Sequence, residues 1–267
     1  MSEDRAGDPQ ADIEYTDDFV AKLELLWGDG FLSPGGEAEV AMALAGVDLA
    51  GKDVLDVGCG VGGIDILLAR RWGARSVLGI DVEAPVLAKA EARAAAAGLG
   101  DTVTYRQVEP GPFPLPDDGF DVVFSKDAMI HIPDKPGLYA EVLRVLRPGG
   151  VFVASDWLKG FDGSMSADME RWIESVKLHF EMASVAETEH ALRQAGFTDV
   201  AVTSRNAWYR EEGRREIERI EGELRPRAVE LLGEHGVSHW LTVKRNMLVV
   251  LDAGEFCPSH IRARRPR

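Results

Sequence analysis

Cysteine is scarce in this chain: two residues, Cys59 and Cys257, in 267. They are far apart in sequence and form no Cys-x-x-Cys or Cys/His spacing, so neither a disulfide scaffold nor a structural metal site is expected. Aromatic side chains make up only 7%. No uncharged apolar run approaches the ~18 residues that a membrane-spanning helix requires. Basic residues are outnumbered, 30 against 45 acids, giving a formal charge of −15. A surface of that sign repels phosphate backbones, so nucleic acid is not an expected partner. The first fifteen residues, MSEDRAGDPQADIEY, are acidic and lack an apolar core. They read as neither a signal nor a transit peptide, and a cytoplasmic protein acting on small molecules is expected.

What is present is a regular alternation. Residues 15–27 carry Phe19, Leu23, Leu26 and Trp27 at helical spacing, with Thr16 as a cap. A glycine-rich loop (28–36) and a helix (37–45) follow. Strands are expected at 53–58, 76–80, 103–108, 120–125 and 151–155. Helices are expected after residue 63 and at 84–97 and 138–146, the last stopped by Arg147-Pro148-Gly149-Gly150. This pattern predicts an α/β fold, a doubly wound, mostly parallel sheet with helices on both faces. Beyond residue 157 the pattern turns helical, at 165–183, 187–195 and 210–233, with strands at 200–204 and in the tail at 260–265. Periodicity leaves 241–251 open between helix and strand.

The chemistry concentrates at strand ends. Gly58, Gly60 and Gly63 follow the first strand with GxGxxG spacing. Glycines let a backbone turn sharply and approach a ligand closely, and this spacing alone also suits a dinucleotide. Asp56 lies inside that strand, Asp81 ends the next, and Glu109 follows the third. Asp81 is placed to accept both hydroxyls of a ribose. Cys59 reads as a small buried filler. After the fourth strand come Asp127 and His131, four apart and on one face if a helical turn starts there. His131 can accept a proton near neutral pH.

Four segments, VLDVGCGVGG (54–63), GIDV (79–82), FDVVFSKDAMIHI (120–132) and LRVLRPGGVFVASD (143–156), resemble the signature of the class I S-adenosyl-L-methionine (SAM) methyltransferases. The resemblance implies a Rossmann-like core at 49–157 under a helical lid, made of an N-terminal part (1–48) and a part after the core (158–267) that also holds C-terminal strands. It implies that Gly58 and Gly60 border the methionine portion of SAM, that Asp81 with Val82 holds the ribose, and that Glu109 sits by the adenine. Asp56 and Lys126 complete the implied cofactor set.

Tyr15-Thr16-Asp17, the loop 28–36 and Asp127-Ala-Met-Ile-His131 further resemble the phosphoethanolamine N-methyltransferases. That likeness implies a Tyr15–His131 dyad closing over SAM, Asp127 holding the amine and Ser33 touching the SAM head. It thins where that family binds phosphate. The tyrosine positions here are Trp157, Trp172 and Leu178, the arginine position is Val176, and only Lys244 or Arg245 retains a cation. Glu221-Gly-Glu-Leu and His239-Trp240 are similar, more weakly, to sarcosine and dimethylglycine N-methyltransferases. The expected acceptor is an amine of a phosphoethanolamine-like compound. Oxygen or carbon methylation of a secondary metabolite is the alternative, favoured by an apolar pocket. A non-catalytic SAM-binding regulator is a third reading, against which Tyr15, Asp127 and His131 argue.

Overall fold

A computed structural model describes residues 15–267; the expectations for 1–12 lie outside the described residues. Strands β1 (Asp53–Val57), β2 (Ser76–Asp81), β3 (Val103–Gln107), β4 (Phe120–Lys126), β5 (Leu146–Lys159), β6 (Thr198–Ser204) and β7 (Phe256–Arg264) form one sheet. Their order is β3-β2-β1-β4-β5-β7-β6. The first five run parallel, and β7 pairs antiparallel with both β5 and β6. The order reverses between β1 and β4, which opens a crevice beyond their carboxyl ends.

The central strands are apolar on both faces because helices cover both. Alternate side chains go to opposite sides. Leu55, Val57 and Val123 pack with α5 (Lys135–Val145) and α7 (Val185–Ala195) through Leu138, Val142 and Leu192. Val54, Val122 and Phe124 face α2 (Gly36–Ala43), α3 (Gly63–Arg70) and α4 (Ala84–Ala96) through Val40, Leu68 and Ala94.

Above the crevice lie α1 (Asp17–Trp27), α6 (Ala167–Val176), α8 (Asn206–Glu221) and α9 (Arg225–Asp252). The Thr16 hydroxyl caps α1 by accepting from the Phe19 N–H at 3.4 Å. The apolar stripe of α1 sends Leu26 into a cluster with Ile220, Trp240 and Leu241 of α8 and α9.

Several boundaries differ from the sequence reading. The helix expected at 165–183 ends at Val176, because Lys177 is left-handed (φ 62°) and turns the chain back. The helix expected at 210–233 is two: Gly222 breaks α8, and α9 begins at Arg225 with Pro226 in its first turn. Residues 241–251 are helical, within α9, which is kinked at Gly233. Arg147-Pro148-Gly149-Gly150 ends α5 but belongs to β5, where the register jumps between Phe120 and Val122. A β-irregularity accommodates the proline there.

A buried ionic knot joins α2 to the far sheet edge. Glu39, 1% exposed, accepts from Arg205 at 2.9 and 2.8 Å and lies 2.7 Å from the His260 ring. Burial alone would push its carboxyl up, but the hydrogen bonds with His260 and Arg205 outweigh burial and hold it at about 2. The folded value lies below the unfolded one. Its contribution to stability is therefore complete above about pH 4.5 and is lost as pH falls through about 2. Glu39→Ala strands Arg205 and should cost about 3–5 kcal/mol by urea unfolding at pH 7.

Candidate functional site

A cleft of about 540 Å³ opens where β1, β2 and β4 end. Its floor is the glycine loop. Gly58 takes φ 74°, and a Cβ added there would lie 2.2 Å from the Ala128 Cβ. The bare backbone thus lets the β4 turn pass close beside the loop. Asp81 Oδ2 accepts from the Gly60 N–H at 2.9 Å, and Oδ1 accepts from the Glu83 N–H at 3.1 Å. Those bonds fix the carboxylate at the end of β2, with lone pairs to spare for a diol. Burial pushes the Asp81 carboxyl above its ordinary value, and these N–H donors oppose that rise. Beneath it, Asp56 is 2% exposed and neighbours the buried Asp65. Burial holds Asp56 up at about 7, aided by the charge of Asp81; burial and the neighbouring Asp56 likewise push the Asp65 carboxyl well above its ordinary value. Val82 and Glu109 line the outer wall, Val82 with 48% of its surface exposed.

The turn after β4 carries the second group of residues. Asp127 is left-handed (φ 54°), an uncommon state for a non-glycine residue. It is held by what surrounds it. Ser155 Oγ donates to Oδ1 at 2.9 Å, and Tyr209 Oη donates to Oδ2 at 3.3 Å. Lys126 Nζ pairs with Oδ2 at 2.7 Å, both side chains being 2% exposed. The other two Lys126 bonds go to Ser33 Oγ at 2.6 Å and the Pro34 carbonyl at 3.0 Å. Lys126 therefore tethers the loop 28–36 to the sheet, and Ser33 is brought to the cleft by that tether.

His131 closes a 3₁₀ turn, Met129–His131. Its Nδ1 lies 2.7 Å from the His179 carbonyl, which can only accept. The Nδ1 proton points there, and in that tautomer Nε2 accepts from Tyr15 Oη at 3.4 Å. The Tyr15 N–H in turn donates to the Glu83 carboxylate at 3.2 Å. The Tyr15–His131 pair expected from sequence is thus brought together, across 116 residues.

A second cavity, about 90 Å³, adjoins the first. Both are lined by Tyr15, Leu32, Ser33, Asp127 and His131, so these five side chains form the passage between them. Trp157 and Trp172 wall the smaller cavity, with ring centroids 6.0 Å apart and Phe180 against each. Phe180 arrives because the chain turns back at Lys177. Lys244 also lines this cavity, paired with the buried Glu216 at 2.7 Å. Glu216 accepts from Trp27 Nε1 as well, at 2.5 Å. No group of three or more His, Cys, Asp or Glu side chains suited to a metal occurs among the described residues, nor any helix long and apolar enough to cross a membrane.

Tyr209, Ser155, Glu83 and Glu216 escaped sequence reasoning. Each acts through a distant partner, and none carries a local motif. Lys22 also lines the smaller cavity and was read only as part of an amphipathic helix.

The sheet order and the glycine-floored cleft ending in Asp81 are those of the class I methyltransferase fold. The cleft suits SAM on its own geometry, through close backbone approach at Gly58 and carboxylates turned toward a cationic, ribose-bearing ligand. Residues 54–150 match the family model described as "Methyltransferase domain". Among relatives, phosphoethanolamine N-methyltransferase 1 of Arabidopsis thaliana is 32% identical over 212 residues, 79% of this chain and 42% of its own length. A sterol 24-C-methyltransferase of Gibberella zeae is 34% identical over 173 residues, 60% of this chain and 44% of its own. Phosphoethanolamine N-methyltransferase 2 of Haemonchus contortus, solved with SAM, superposes with a TM-score of 0.87 at 24% identity, over 96% of this chain and 59% of that one. The chain thus spans about two-fifths of the length of the curated relatives it matches.

Proposed function

We propose that the chain transfers the methyl group of SAM to an amine nitrogen of a small, phosphoethanolamine-like acceptor bound in the smaller cavity. The observation that carries this reading is the passage: an acidic side chain, Asp127, and a histidine whose Nε2 faces Tyr15 Oη stand between the two cavities. SAM supplies an electrophilic methyl on a sulfonium. The protein's part is to align a lone pair with the S–CH₃ bond and exclude water. Asp127 favours a cationic amine at the passage. His131 Nε2, directly or through Tyr15 Oη, accepts the proton that the amine must lose before attack. The indole faces of Trp157 and Trp172 suit an increasingly methylated ammonium.

The apolar wall of Trp157, Trp172, Val176, Leu178 and Phe180 favours a second reading, carbon or oxygen methylation of an apolar metabolite. Methyl transfer from labelled SAM to a panel of amines, alcohols and activated carbons separates the two. Turnover of the amines supports the first reading, and labelling of the others alone removes it. If SAM binds and none is labelled, the protein is a SAM-binding regulator.

His131→Ala should leave SAM affinity within about threefold while lowering kcat roughly 10²–10⁴-fold, the usual range for a lost general base. Calorimetry with SAM and single-turnover kinetics check this; unchanged turnover removes the dyad from the mechanism.

A further inference from the structure

Among the described residues, no carboxylate neutralises Lys22. It projects from α1 into the smaller cavity, where its Nζ lies 4.1 Å from the Phe19 ring centroid and 6.0 Å from that of Trp240. No carboxylate among the described residues pairs with it. Lys244, beside it, is satisfied by Glu216, and His239 lines the same cavity. In a chain with fifteen more acids than bases, a half-buried, unpaired ammonium among aromatic rings is costly. Burial, and then the charge of Lys244, lower its pKa to about 8, so it remains mostly protonated at neutral pH. Lys22 follows Tyr15 by seven residues, two helical turns and roughly 10 Å along the same face if the helical rise is extended back to Tyr15. A small molecule reaching from the passage toward Lys22 therefore meets an acid at one end and a cation at the other.

We propose that Lys22 is an anion-binding residue of the acceptor cavity, and that the acceptor is a compound bearing both a basic nitrogen and a carboxylate or phosphate. This deepens the amine reading and rests on it. The anion supplies the charge that Lys22 lacks. The aromatic rings around it exclude water, which strengthens the charge-assisted hydrogen bond.

The test compares Lys22→Met and Lys22→Arg with the unaltered chain. Initial rates at saturating SAM are measured with phosphoethanolamine, with sarcosine and with N-methylethanolamine, which carries no anionic group. Lys22→Met should lower the ratio of kcat/KM for an anionic acceptor to that for N-methylethanolamine by roughly tenfold to a hundredfold. Lys22→Arg should restore much of it. Whether phosphoethanolamine or sarcosine shows the larger fall tells phosphate from carboxylate. In parallel, binding of inorganic phosphate and acetate is measured by calorimetry on protein loaded with S-adenosylhomocysteine. Anion binding that Lys22→Met abolishes, without turnover of any amine, leaves the site standing and removes the amine reading. Amine turnover with an unchanged ratio and unchanged anion binding in Lys22→Met overturns the Lys22 site and leaves the amine reading in place. An equal loss for all three acceptors, not rescued by arginine, marks Lys22 as structural and also overturns the proposal.

Discussion

Asp127→Asn is expected to lower kcat/KM for an amine acceptor by roughly 10²–10⁴-fold, from about 3–5 kcal/mol of binding lost when the carboxylate facing a desolvated ammonium is neutralised. Asparagine keeps the shape of the side chain and tolerates the left-handed backbone that Asp127 adopts. The change therefore isolates charge from conformation. Asp127 faces three donors, from Lys126, Ser155 and Tyr209. Asparagine presents one acceptor oxygen and an NH₂ group that clashes with donors already in place, and Lys126 loses its counter-ion. If Asp127 serves the amine, the loss falls mainly on acceptor KM and kcat, with SAM affinity affected less. Steady-state kinetics at saturating SAM, with thermal melting as a control on folding, decide it. Unchanged amine kinetics in the Asp127→Asn variant would remove the carboxylate from acceptor recognition.

The second large effect is expected at the glycine loop. Gly58→Ala should weaken SAM binding by roughly 30- to 1,000-fold. A left-handed alanine costs about 1–2 kcal/mol. The new methyl group also cannot coexist with Ala128, whose Cβ would be 2.2 Å away. Overpacking of that kind costs about 1–3 kcal/mol when the backbone must shift. Either the β4 turn carrying Asp127 moves or the loop does, and both border the cleft. Gly51 is a useful contrast: it too has positive φ, but a Cβ there meets nothing within 4 Å. Gly51→Ala should show the backbone penalty in its melting temperature and leave SAM binding intact. Calorimetric titration of both variants separates strain from loss of the cradle; equal SAM affinities would show that the loop yields freely.

The half of the fold that carries the glycine-floored cleft was readable in the sequence because its information is local. Strands β1, β2 and β4 are short apolar runs, and each is followed directly by its functional residue: Gly58, Asp81 and Asp127. The acceptor half was less readable. Trp157, Trp172 and Lys244 do line one cavity, yet that depends on Lys177 reversing the chain and on α9 running through 241–251. Neither leaves a local pattern, since Lys177 is no glycine and the 241–251 run fits two periods. Gly30 and Gly63 show the same limit. In sequence Gly63 is the third glycine of a fingerprint. In the fold a Cβ on Gly30 would lie 2.7 Å from the Gly63 Cα, so both glycines serve one close crossing between the N-terminal loop and α3. Lys22 failed to stand out because what distinguishes it is the carboxylate it lacks, and a missing partner is visible only in three dimensions.

The pairing of β5 with β7 has an evolutionary consequence. These strands are immediate neighbours along nine paired positions, yet nearly a hundred residues of chain separate them. That intervening stretch supplies Trp172, Phe180, Trp240 and Lys244, and so most of the smaller cavity's wall contributed from outside α1. Its two ends are anchored side by side in the sheet. Because loop-closure entropy grows only slowly with length, segments can be exchanged, lengthened or shortened between those anchors without disturbing the register of β1, β2 and β4. On the reading proposed above, much of the wall that faces the acceptor can therefore change between those anchors while the strands that frame the larger cleft stay as they are.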